Sequence, residues 1–154
     1  MNVTRFLAGR VAPAAAVALV LVTAVAGCGD KEASYCAALT TDQKTFAAMQ
    51  DDTSGLGLLK HRAMLHDLSD KAPDDLTDEW QTVLGAIDAF AKTLDETGVK
   101  AGDFVGGQAP AGLSEVDRTK IATAASELAS DDVVQAADGI EQQAKDVCKV
   151  QLGL

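Results

Sequence analysis

From Leu76 to Leu94 apolar side chains return every three or four residues: Leu76, Trp80, Val83, Leu84, Ile87, Phe90, Ala91 and Leu94. At about 100° per residue they share one face of a helix, with Asp78, Gln81, Asp88 and Lys92 opposite. A helix with one apolar face must bury it against other elements, and the chain supplies more helices for this. Tyr35, Leu39, Phe46 and Met49 form a stripe in a helix starting near Ser34. Leu58, Leu65, Leu68 and Ala72 form another, running from Leu56 to Ala72 and stopped by Pro73. Asp51 to Gly55 reads as the turn between them. Asp74 and Asp75 open the Leu76–Leu94 helix, where acids suit the positive end of the dipole, and Gly98 suits its C-cap. Ser114-Glu115-Val116-Asp117 has the capping-box spacing for a helix to about Ala129. Ser130-Asp131-Asp132 opens a last one, with Val133, Ala137, Ile140, Ala144, Val147 and Cys148 on its stripe. No two-residue alternation of strand type and no internal repeat appear, so the class is all-α.

The first 27 residues differ from the rest. Arg5 and Arg10 precede a run of Ala, Val and Leu from Val11 to Val25, and small residues lead to Cys28. A basic start, a short apolar run and a small-residue exit make a secretory signal peptide. The run is short for a membrane span of about 20 residues. Val25-Ala26-Gly27-Cys28 resembles the lipobox of bacterial lipoproteins. That resemblance implies that Cys28 is acylated and becomes the mature N-terminus, with two or three acyl chains giving stable anchorage. It divides the chain into a leader (1–27), a tether (28–33) and a helical domain (34–154), and it places the domain on the extracytoplasmic face of the cell membrane.

With Cys28 assigned to lipid, Cys36 and Cys148 remain. An even pair in an exported domain reads as a disulfide, here between the two ends of the fold. Neither a C-x-x-C nor a low-pKa exposed thiol marks a redox centre. The bond constrains topology. Five helices passing up and down with short loops would leave Cys36 and Cys148 at opposite poles, whereas bonded Cα atoms lie within about 7 Å. The sequence therefore predicts a four- or five-helix bundle in which one long connection, about 98–113, crosses the bundle. That segment holds five glycines and Pro110. Its Phe104-Val105 would dock on the bundle, and the helices on either side of it would run roughly parallel.

Without the leader, 127 residues remain (154 minus 27), with 11 basic side chains (13 minus Arg5 and Arg10) against 23 acidic ones. A net charge near −12 argues against nucleic acid as a partner. His61 and His66, five apart, point about 140° away from each other on a helix and cannot chelate one ion together, so no metal and no cofactor are expected. Asp42 and His61 both fall inside apolar stripes, about ten residues either side of the turn, and are expected to meet as a buried polar pair with Arg62 competing. The acid pairs at 51–52, 74–75 and 131–132 lack EF-hand spacing and read as helix caps. No G-x-S-x-G, phosphate loop, dinucleotide fingerprint or C-x-x-C-H occurs, so an enzyme is not expected.

Tyr35-Cys36 paired with a C-terminal Cys148, together with Ala72-Pro73-Asp74-Asp75-Leu76 leading to Glu79-Trp80, is similar to small secreted or lipid-anchored actinobacterial proteins. The resemblance brings no catalytic residues. Two functions follow as expectations: an interaction lipoprotein that binds another envelope protein, or a binding module for a small apolar or amphipathic ligand.

Overall fold

The computed structural model describes residues 28–154 apart from Gly55. The expected leader, with Val25 to Gly27 of the expected lipobox, lies outside the described residues. Six α-helices make up the described chain: α1 (Cys28–Gln50), α2 (Gly57–Lys60), α3 (Arg62–Ser69), α4 (Thr77–Thr97), α5 (Glu115–Leu128) and α6 (Asp131–Gln143). No strand occurs among these residues; one isolated antiparallel bridge joins Val105 and Gln108. The protein is all-α. Residues 28–33, expected as a tether, form the first turns of α1.

Helix α4 is the spine. Every residue of its expected stripe is buried. Trp80, Val83, Leu84 and Ile87 belong to one apolar cluster, shared with Tyr35, Leu39 and Phe46 of α1, Leu65 and Leu68 of α3, and Ala136 and Ile140 of α6. Phe90 and Leu94 belong to a second, shared with Leu56, Val99, Phe104 and Ile121. Leu59 and Leu128 touch both clusters and join them. Gly98 ends α4 in the left-handed region (φ 69°), as a C-cap glycine should.

The expected second helix is broken. His61 leaves helical geometry (φ −106°, ψ 17°) and separates α2 from α3. Gly57, at the start of α2, lies so close to α1 that a Cβ there would stand 2.8 Å from the Met49 carbonyl oxygen. The last expected helix also stops short. After Gln143 the chain makes a π-type turn over Ala144–Cys148, and Lys149 adopts a left-handed conformation (φ 59°).

Cys36 and Cys148 are bonded, with Cα atoms 4.9 Å apart and a sequence separation of 112. The long connection is present, but it does not run the length of a helix. Val99, Ala101, Phe104, Ala109 and Leu113 all pack into the second cluster, at the C-terminal end of α4. Phe104 docks there, its ring 6.5 Å from that of Phe90. Val105 stays 80% exposed, contrary to expectation. Parity is satisfied in another way. Ile121 and Ala124 of α5 pack in the second cluster, Leu128 touches both, and α6 packs in the first. Helices α5 and α6 thus follow one another back along α4 and together make one pass, antiparallel to α4 rather than parallel. Helices α2 and α3 share a pass in the same way, from Leu56 in the second cluster to Leu68 in the first. Four passes bring the chain back to the pole where it began.

Beyond Cys148 the last residues form a strap. Val150 and Leu152 are buried in the larger cluster. Gln50 Nε2 donates to the Leu152 carbonyl (2.8 Å), and the backbone N–H groups of Leu152 (3.0 Å) and Gly153 (2.7 Å) donate to Glu141 Oε2. Replacing both Cys36 and Cys148 by Ser should lower stability by about 4–5 kcal/mol as an upper figure in the chain-entropy description. Leu152→Ala should cost about 2–5 kcal/mol, the range for emptying a buried leucine site. Urea denaturation of each variant checks both values.

Candidate functional site

Helix α1 runs without interruption from Cys28 through Cys36. The pole that holds Cys36 and Cys148 also holds the start of α4, because Lys31 Nζ lies 2.5 Å from Asp74 Oδ1. That contact keeps the Asp74 carboxyl below the usual carboxylate range. Tyr35 is fully buried beside Cys36. Its ring meets Trp80 edge-on at 6.5 Å, and Trp80 Nε1 donates to Tyr35 Oη at 3.2 Å. Burial pushes the Tyr35 hydroxyl up to about 12, because the phenolate would have to form among apolar groups; the Trp80 N–H bond opposes this by a smaller amount.

The Asp42–His61 pair does not form. Both residues are only partly buried, and no hydrogen bond or ion pair joins them among the described contacts. The expectation assumed one helix from Leu56 to Ala72. The break at His61 resets the rotation along that segment, so His61 leaves the stripe it was counted into. The histidine that does meet a carboxylate is His66, with Nε2 3.2 Å from Asp88 Oδ1, while Arg62 Nη1 approaches the same oxygen at 3.6 Å. These three side chains are close to half exposed, and no nucleophile adjoins them among the contacts described. Exposed pairs of this kind contribute about 0–1 kcal/mol.

The acid pairs resolve differently from one another. Asp52 works in a turn rather than as a cap: its Oδ1 accepts from Ser54 N–H at 2.9 Å and its Oδ2 from Lys60 Nζ at 2.8 Å. The Lys60 and Ser54 contacts hold its carboxyl down at about 2. Asp74 and Asp75 lie in a 3₁₀ turn ahead of α4. Ser114 caps α5 as expected, accepting from Asp117 N–H at 3.1 Å. Ser130 occupies the N-cap position of α6 without a side-chain cap bond. Among the described residues no three His, Cys, Asp or Glu side chains are placed to hold a metal ion. No described helix is long and apolar enough to cross a membrane.

Two features were not found by sequence reasoning. One is the strap, whose Val150 and Leu152 follow no helical period and so carry no periodic signal. The other is an apolar cavity of about 140 Å³ at the joint between α5 and α6, with Leu58, Val83, Leu128, Val133 and Ala137 in its walls. Wider grooves of about 280 Å³, beside Arg62 and Lys100, and about 310 Å³, between Asp78 and Gln135, are open and have mixed linings. Glu79 Oε2 and Gln143 Oε1 are buried without a hydrogen-bond partner among the described residues.

Tyr35 is the one tyrosine in the chain, so its titration can be followed directly. An unfolded tyrosine ionises near pH 10 and the folded one near 12, so the unfolded state loses its proton first. Stability should therefore be unaffected by this group below pH 10 and should fall between pH 10 and 12. Phenolate absorbance at 295 nm should appear only as the protein unfolds; its appearance at pH 10 in folded protein would contradict the burial. Trp80→Phe, which leaves the buried hydroxyl without its partner, should cost about 1–3 kcal/mol in urea denaturation.

Comparison with protein-family models, with curated proteins and with solved structures finds no match to the chain.

Proposed function

We propose that the chain is a non-enzymatic interaction lipoprotein, held at the extracytoplasmic face of the cell membrane by lipid on Cys28, whose helical domain binds another envelope protein. The leader supports the anchor: a basic start, an apolar run and Val25-Ala26-Gly27 ahead of Cys28. One observation carries the choice of interaction over ligand storage. Small-molecule sites are usually concave apolar pockets of about 300–1,000 Å³. The most enclosed apolar cavity described is about 140 Å³, and the wider grooves of about 260–310 Å³ are open to solvent. The acidic surface supports the same reading, because it keeps a small domain soluble and selects partners by charge.

The anchor is tested by fractionation. The wild-type chain should sediment with membranes and carry acyl mass on a peptide starting at Cys28. Cys28→Ala should move the protein to the soluble fraction. A Cys28→Ala protein that stays in the membrane, or a wild-type peptide without acyl mass, would overturn the anchor.

A further inference from the structure

We propose that the cavity at the α5–α6 joint is a socket for one apolar side chain of a protein partner that carries a basic residue beside that anchor; this deepens the interaction reading and rests on it. The size fits one side chain. The cavity is about 140 Å³, and apolar cavities near 150 Å³ take up a benzene-sized group. Its floor is apolar and firm, since Val83 is buried in the α4 core. Its mouth opens on α6, where Val134 is 50% exposed and Asp138 is exposed on the same edge. Of the four exposed valines, Val105, Val116, Val134 and Val147, Val134 is the one that lines this cavity. Interfaces draw most of their binding energy from a few anchors that fill such pockets.

The charge at the mouth is Asp138, and the rest of α6 adds to it in sign. Helix α6 contains Asp131, Asp132, Asp138 and Glu141 and no Lys or Arg. Glu141 is engaged by the strap. Asp131, Asp132 and Asp138 are exposed and have no ion-pair partner among the described residues. An apolar anchor flanked by Lys or Arg meets both halves of this surface, and an anchor flanked by acids is repelled.

The test uses the full-length lipidated chain in its own envelope. Val134 is replaced by an aliphatic diazirine amino acid, and a second chain carries the same group at Lys92, on the outer face of α4. Irradiation should give a protein adduct at 134 and none at 92. Sequencing of the cross-linked peptide should show an apolar residue adjacent to Lys or Arg. Ala137→Phe, which fills the cavity, and Asp138→Lys, which reverses the charge at its mouth, should each lower adduct yield by about tenfold. Asp138→Lys lies on the surface and keeps the test informative if Ala137→Phe does not fold. A yield unchanged by Asp138→Lys, an acidic partner peptide, or an adduct with lipid or with a second copy of this chain overturns the socket. Adducts at 92 but not at 134 also overturn it, and leave the interaction reading standing. Absence of protein adducts at both positions counts against both.

Discussion

The bond between Cys36 and Cys148 ties residues 112 apart to one pole, and this requires the chain to make an even number of passes. With six helices the requirement is met by pairing: α2 with α3, and α5 with α6, each pair sharing one pass. The four-pass arrangement then gives α4 neighbours on its whole length. Its first half is buried by α1, α3 and α6, and its second half by α5 and the 98–113 connection. The strap becomes necessary for the same reason. Once α6 gives way to the turn that brings Cys148 to Cys36, the groove beside α1 needs another cover, and Val150 and Leu152 provide it.

The division into two apolar clusters separates two jobs. The larger cluster holds the disulfide pole, the Tyr35–Trp80 contact and the strap, and its stability comes from long-range connections. The smaller one is built on the end of α4 by a connection and a helix whose outer faces are open to solvent; Ile121 is the one fully buried side chain of α5. Regions with fewer buried contacts open at lower free energy than the core. The proposed socket is walled almost wholly by the larger cluster, with Leu128 alone reaching into the smaller one, so it sits on the firmly held side of the fold.

Much of this was legible in the sequence wherever one local rule acted alone. The α4 stripe needed only periodicity, and every member is buried. The Ser114 cap and the Gly98 stop needed only backbone chemistry, and both are as expected. The disulfide followed from counting cysteines. What was not legible depended on breaks in helices. A break such as that at His61 has no strong breaker residue; Gly57 four residues earlier, pressed against Met49, is the nearest signal. Counting through it assigned His61 to the wrong face and produced the Asp42–His61 pair. At Ala129-Ser130 the break itself is legible, but counting its two helices as two passes sends the connection across the bundle. The strap was invisible because buried residues in an extended tail carry no helical period.

Helix α1 starts at Cys28 and continues through Cys36, with no helix break between these two cysteines. Eight residues of helix rise about 12 Å. A lipid-bearing Cys28 would then sit at the end of a short stiff post that is cross-bolted to the other terminus. If the proposed anchor holds, such a mount would restrict the domain's tilt more than a flexible leash would. Its surfaces would be presented to neighbours in the envelope at a nearly constant height. For a partner in the same membrane, the search over tilt would then be narrowed before contact.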